Sequence, residues 1–281
     1  IICMHEIADI ACNFTSERFD NDLGKVVDKA VANKISKFGL ICSRLSDIDK
    51  LLGIYNQYSS NMFFTIGVHP HHANEINDEY LTKLKEIINK NEPHAIGETG
   101  LDFFRNLSTY EEQIFAFEEQ IKISIDTNKP LFLHQRDSHD DFIKILRKYS
   151  SDIGKAVVHC FTGTQAQLDD YLELDAYIGL TGWVCDEKRN VDLRKTIKNI
   201  PLSRLMVETD CPYLIPKDLP DKPKNNRNEP SYLNHIAREI AALMEVEEEM
   251  LRIKSFENTF QVCLKRGLKN IVETGTSRGK S

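Results

Sequence analysis

Eight short apolar runs, each followed by a longer amphipathic stretch, occupy nearly the whole of this chain. The runs fall at 6–12, 35–42, 63–68, 94–98, 130–134, 155–160, 176–181 and 204–209. Their length and composition predict strands buried on both faces, as in a parallel sheet. The stretches between them keep helical spacing, as in Ile114, Phe117, Ile121 and Ile125, or Phe142, Ile145, Leu146 and Tyr149. Periodicity alone does not separate an open doubly wound sheet from a closed barrel. A count of eight, with no glycine-rich first turn, predicts an α/β fold of the closed (β/α)8 kind. The expected domain is residues 1–268, with helices at 232–244 and 246–264 capping the barrel. From 269 to 281 no apolar period remains, and a disordered tail is expected there.

The second constraint is where ionisable residues meet these runs. Glu98 follows His94-Ala95-Ile96-Gly97, His134 follows Pro130-Leu131-Phe132-Leu133, His159 follows Ala156-Val157-Val158, and Asp210 closes Leu205-Met206-Val207-Glu208-Thr209. The carboxyl ends of barrel strands are where this architecture places its chemistry. Helix-start signals agree. Thr109-Tyr110-Glu111-Glu112 and Thr164-Gln165-Ala166-Gln167 read as capping boxes, and Ser138-His139-Asp140-Asp141 as a looser one. Each lies a few residues after Glu98, His134 or His159, which puts those three in strand-to-helix loops on one barrel face. Any one of them could be a polar residue bonded to nearby backbone, but four in register point to one metal-dependent hydrolytic site. Glu98, His134 and His159 are the expected ligands, with Asp210 either a fourth ligand or the base that orients a water. Mixed nitrogen and oxygen ligation without thiolate suits magnesium, manganese or zinc and does not choose among them.

Around this quartet, His69 ends the run 63–68 and could contact substrate or a second metal, while His71 and His72 read as loop residues. His5, His94 and His235 read as structural, and His139 as a helix-start residue on the rim. Arg136, two residues past His134, is placed to meet a phosphate oxygen, or else to pair with Asp137 or Asp102. Lys217, Lys222, Lys224 and Arg227 form a basic loop broken by Pro220 and Pro223, suited to a phosphodiester or to plain solvation. Phe103, Phe104, Trp183 and Tyr213 fall in loops on the same face, where aromatic rings can stack on bases or simply pack.

Composition narrows the field further. The chain has 281 residues, of which 41% are hydrophobic and 28% charged, so it can build a large core without disulfide or structural metal. A net charge of −7 supplies no global basic field, which argues against a processive duplex binder but not against an enzyme that grips one strand end. Seven scattered cysteines with no CxxC pair suit a reducing cytosol. No signal peptide is visible, Met4 is a candidate start, and no run approaches the roughly 18 apolar residues of a membrane span. The expectation is a soluble cytoplasmic protein, a monomer by preference, without a membrane partner.

In combination these segments resemble the TatD family of metal-dependent deoxyribonucleases. The matching pieces are Gly67-Val68-His69-Pro70-His71, Ile96-Gly97-Glu98-Thr99-Gly100-Leu101-Asp102-Phe103 and His134-Gln135-Arg136-Asp137. Then come His159-Cys160-Phe161-Thr162-Gly163, Tyr177-Ile178-Gly179 with Thr181-Gly182-Trp183, Glu208-Thr209-Asp210-Cys211-Pro212-Tyr213-Leu214, and Arg227-Asn228-Glu229-Pro230. The resemblance implies a TIM barrel of the metallo-dependent hydrolase type. It also implies 3′→5′ exonuclease activity on DNA with magnesium, and links to DNA repair and fragmentation. One departure stands out. Most members carry His-x-His on the first strand, whereas here Ala11 and Asn13 hold those positions. The branch containing TatD itself shares this change. One metal position is therefore well supported, and the case for a second is weakened.

The expected function is hydrolysis of phosphodiesters at DNA strand ends, with RNA a further candidate. In that scheme Glu98 and Asp210 are catalytic, His69, Arg136 and Arg227 meet substrate, and Asp102 and Glu208 support the ligands from behind. Two rivals share the barrel: an amidohydrolase or esterase on a small or aminoacyl substrate, and a binding protein whose site decayed with the lost histidine pair.

Overall fold

The computed structural model describes residues 5–188 and 190–264. Cys3, Met4 and the expected tail 269–281 lie outside the described residues. The eight strands are β1 (Ile7–Cys12), β2 (Ile35–Leu40), β3 (Met62–Ile66), β4 (Ala95–Asp102), β5 (Leu131–Arg136), β6 (Ala156–Val158), β7 (Tyr177–Leu180) and β8 (Leu205–Val207). They form one sheet in sequence order, every neighbouring pair parallel. The seam between β1 and β8 closes through a parallel backbone β-bridge between Cys12 and Cys211, both free thiols, and through Asp9, whose carboxylate accepts from the Thr209 N–H (2.9 Å) and hydroxyl (2.5 Å).

The helices are α1 (Leu23–Ala32), α2 (Ile48–Gln57), α3 (Asp78–Asn91), α4 (Tyr110–Thr127), α5 (His139–Lys148), α6 (Gln165–Glu173), α7 (Val191–Thr196), α8 (Leu233–Met244) and α9 (Glu248–Thr259). Thr109 and Thr164 both form full capping boxes at α4 and α6, each hydroxyl accepting an N–H while the Glu or Gln three residues on reaches back. Ser138 makes no such cap on α5; its hydroxyl donates instead to the Leu101 carbonyl at 3.1 Å. No described helix is long and apolar enough to cross a membrane.

Because side chains alternate along a strand, the barrel carries two cores. The larger lies between strands and helices. The smaller takes Ile10, Phe63, Phe132, Val157, Tyr177 and Met206 from six strands and closes with Val262 and Cys263 after α9. Residues two positions on from Phe132, Val157 and Met206 are His134, His159 and Glu208. The apolar layer is thus the floor on which the polar site stands.

One strand departs from expectation. β4 does not stop at Glu98 but runs on to Asp102, all eight residues buried. Its pairing with β5 shifts register between Ile96 and Thr99, so Glu98 sits in a bulge rather than at the strand end. Gly97 (φ 148°) and Gly100 (φ 144°) permit this. A Cβ at Gly97 would lie 2.3 Å from the Phe132 carbonyl oxygen, and one at Gly100 would lie 1.9 Å from that of His134.

Candidate metal centre

The bulge in β4 turns the Glu98 carboxylate toward three imidazoles. Its Oε1 lies 2.7 Å from His159 Nε2, 3.0 Å from His134 Nδ1 and 3.4 Å from His69 Nε2. His69, Glu98 and His134 each offer a ligand atom within 4.8 Å of the others. The histidines come from the ends of β3, β5 and β6, so consecutive strands deliver the cluster. It stands at the base of a cavity of about 850 Å³, whose wall also includes Asp102, Arg136, Trp183, Asp210 and Tyr213.

Burial governs the electrostatics. Taking His69 out of water pushes its pKa down to about 4, so at neutral pH it is a neutral imidazole, and its Nδ1 accepts from the His71 N–H at 3.1 Å. Burial alone would raise Glu98; attraction to His159 and, when it is protonated, His69, with the bonds from His134 and His159, outweighs it and holds the carboxyl well below its usual range. Burial likewise opposes a charged His159, yet the Glu98 and Glu208 carboxylates raise it well above an ordinary histidine. The cluster is therefore an ionised carboxylate among imidazoles, and it favours the protonated form of His159. Asp210 is pushed up to about 7 chiefly by burial, against the pull of His159. Its Oδ1 accepts from Asn13 Nδ2 at 2.9 Å.

The donor set fits a divalent cation. It offers imidazole nitrogens 2.7, 3.0 and 3.4 Å from a carboxylate oxygen, and opening these by less than about 1 Å gives the roughly 3.3–3.6 Å donor spacing that bonds of 2.0–2.2 Å to a zinc-like ion require. A cation would supply the positive charge that His159 otherwise lends to the Glu98 carboxylate. Behind His159, Glu208 is wholly buried, with Oε1 accepting from the Cys160 N–H at 2.5 Å. His159 Nδ1 has no hydrogen-bond partner, although Glu208 Oε1 is only 3.5 Å away. A movement of a few tenths of an ångström would complete that bond.

Several residues sit differently from expectation. His69 joins the tight trio rather than standing aside for substrate. His71, read as a loop residue, faces the cavity with Nε2 2.7 Å from Asp102 Oδ2. Asp102 also approaches His134 Nε2 at 3.4 Å, so it is part of the wall rather than behind it. Burial would raise Asp102, but bonds from His134 and His71 hold it well below the carboxylate norm. Arg136 lies over the exposed Phe104 ring, 3.8 Å from its centre, at the cavity edge. Ala11 is buried in the floor cluster and supplies no ligand, whereas Asn13 lines the cavity and donates its side-chain amide to Asp210.

Arg227 requires a correction. It is 6% exposed and lines neither cavity, and its guanidinium is already engaged. Nη1 and Nη2 reach Asp22 at 2.8 and 2.7 Å, and Nη2 also reaches Glu229 at 2.8 Å. The basic loop turns this residue inward to clasp α1, leaving Lys217 to line a smaller neighbouring cavity of about 300 Å³ beside Trp183 and Tyr213.

A family model described as TatD-related DNase matches residues 8–263. A Pectobacterium atrosepticum protein named 3′-5′ ssDNA/RNA exonuclease TatD is 44% identical over 83% of this chain and 90% of its own length. A Yersinia pseudotuberculosis protein of the same name is 41% identical over 90% of this chain and 98% of its own. Among solved structures, a TatD-family hydrolase from Entamoeba histolytica superposes with a TM-score of 0.84 at 28% identity, covering 92% of this chain and 98% of the other.

Proposed function

This chain belongs to the TatD-related DNase family, and from that membership we propose that it is a metal-dependent 3′→5′ exonuclease acting on single-stranded DNA and RNA ends. The observation that carries the reading is the convergence of Glu98 with three imidazoles beneath a cavity rimmed by Arg136 and aromatic rings.

Glu98, His134, His159 and His69 would hold a divalent cation, for which magnesium is our first choice and manganese or zinc the alternatives. When bound, such an ion supplies Lewis acidity toward a phosphoryl oxygen and acidifies nearby water. The Glu98 carboxylate and the neutral His69 ring provide the donors. Glu208 keeps His159 oriented from behind. Asp210, anchored by Asn13, faces the same space and either adds a ligand or steers the attacking water. Asp102 holds His71 and His134 in place on the opposite wall. Arg136, carried on the Phe104 ring, offers a planar fork to a phosphate, and Trp183 and Tyr213 offer faces on which unpaired bases stack. The acidic chain and this narrow basic contact suit one strand end rather than a long duplex.

The test is nucleotide release from end-labelled single-stranded DNA, duplex DNA and RNA under metal titration. We expect metal-dependent shortening of single strands from the 3′ end, lost in Glu98→Ala and Asp210→Asn with the fold retained. Undiminished release in either variant, or hydrolysis of amides or carboxylic esters in place of nucleic acid, would overturn the reading. The amidohydrolase alternative draws only on fold likeness, as to a Saccharomyces cerevisiae amidohydrolase at 24% identity and TM-score 0.81.

A further inference from the structure

Outside the main cavity, three elements bring a thiol, a carboxylate and an imidazole to one point. Cys185 ends the turn Gly182–Cys185 after β7, Asp218 lies in the loop after β8, and His235 is in the first turn of α8. One ligand atom from each lies within 4.8 Å of the other two, and His235 Nε2 is 2.7 Å from Asp218 Oδ1. We infer that Cys185, Asp218 and His235 form a second metal site, which takes a borderline-soft divalent cation of the zinc type and fastens the cavity rim to α8.

Donor chemistry supports this choice. A thiolate beside imidazole and carboxylate is the mixed set that zinc accepts and magnesium avoids. Tetrahedral zinc with bonds of 2.0–2.3 Å keeps its ligand atoms roughly 3.3–3.8 Å apart. The 2.7 Å His235–Asp218 contact must open by about 0.6 Å, and the separations from the thiol, at most 4.8 Å, close by at most about 1 Å. Side-chain rotation supplies both. The order of the three groups excludes a nucleophilic triad, in which imidazole would sit against the thiol. Here Asp218 contacts both, and the thiol is pushed up by burial and then by that carboxylate. A divalent ion reverses the sign of that local field and lets the thiolate form.

The scaffold is already set. Arg194 Nη1 donates to the Val184 carbonyl at 2.6 Å and to Glu239 of α8 at 2.8 Å, tying the Cys185 turn to the helix that carries His235. Cys185 is 2% exposed, whereas the Asp218 and His235 side chains are 40% and 23% exposed, which leaves an approach from solvent and room for a water as fourth ligand. Trp183, two residues before Cys185, lines the main cavity, so an ion here steadies a wall of that cavity without touching its chemistry.

Cobalt(II) titration of the full chain after chelator treatment tests this. Thiolate ligation gives a near-ultraviolet charge-transfer band that nitrogen and oxygen ligands alone do not. We expect the band in the parent protein, its loss in Cys185→Ser, and a fall of one bound zinc per chain by elemental analysis. Asp218→Asn, on an exposed loop, and His235→Gln should each weaken cobalt binding at least tenfold in folded protein. Glu98→Gln and Cys160→Ser should leave the band in place. No band in folded parent protein, a band that persists in Cys185→Ser, or one abolished by Cys160→Ser would overturn the assignment.

Discussion

Replacing Glu208 by glutamine removes a charge and keeps an acceptor; replacing it by alanine removes both. In the structure one oxygen, Oε1, takes the Cys160 N–H at 2.5 Å and faces His159 Nδ1 at 3.5 Å, while Oε2 has no hydrogen-bond partner. Glutamine can keep its carbonyl oxygen at the first position and place its amide nitrogen at the second. His159 then stays oriented but loses the nearby negative charge that makes it a better ligand. Alanine leaves the Cys160 N–H without its acceptor in a buried space, at about 1–3 kcal/mol, and also removes the carboxylate that faces His159 Nδ1. Loss of such a partner behind a metal-bound histidine typically costs 10- to 100-fold in metal affinity, or about 1.4–2.7 kcal/mol. We expect Glu208→Gln near the lower end and Glu208→Ala near the upper. The assay is the metal concentration for half-maximal nucleotide release, with direct titration calorimetry of the metal on the same samples. Equal metal affinity in the parent and both variants would refute the role given to Glu208. So would a glutamine variant weaker than the alanine one, since glutamine keeps both the shape and the acceptor that alanine removes.

Gly100→Ala should destabilise on the order of 2–6 kcal/mol, from a Cβ 1.9 Å from the His134 carbonyl oxygen together with an unfavourable φ; an unchanged denaturant midpoint would sink this. Asp9, fully buried at the seam, is pushed up to about 7 by burial against its bonds from Thr209. A raised carboxyl binds its proton more tightly when folded. Its contribution is complete below about pH 4 and is lost as pH climbs to about 7, by at most about 1.4 kcal/mol per pH unit. Asp9→Asn should flatten that slope in denaturation measured across pH, and a parallel slope would count against it. Arg136→Ala and Arg227→Ala should part ways. The first raises KM for single strands and shallows the salt dependence by about one charge, with stability unchanged. The second costs about 2–3 kcal/mol, discounted because Asp22 is partly open to water, and leaves KM alone; a swap of these effects in melting and kinetic data would reverse both assignments.

Much of this architecture was legible from apolar runs, because a strand buried on both faces leaves an unbroken hydrophobic signature wherever it falls. The positions of Glu98, His134, His159 and Asp210 could be read in the same way, as the points where those signatures stop. Glu98 shows the limit. Glycine on either side interrupts the run, and composition cannot tell a strand that ends from one that bulges and continues to Asp102. His71 reads as a loop residue because Pro70 and the following polar residues look like a turn, and only the fold brings Asp102 against it. Arg227 was drawn to the substrate by its basic neighbours. Its partner Asp22 is 205 residues away, a separation at which no local pattern reports a contact. The looser box at Ser138 failed for a related reason, since the hydroxyl found the Leu101 carbonyl on a neighbouring strand before its own helix.

The seam of the barrel also sets an order in time. Asp9 and Thr209, which hold the first strand to the last, are 200 residues apart. At roughly 5–20 residues per second of synthesis, the later one leaves the ribosome on the order of 10–40 s after the earlier. Glu98, His134 and His159 come from the middle of the chain and emerge well before the barrel can close. Asp210 and its anchor to Asn13 arrive only with the last strand, and the floor beneath the site waits longer still, for Val262 and Cys263. A growing chain therefore carries most of its ligands before it has a finished site.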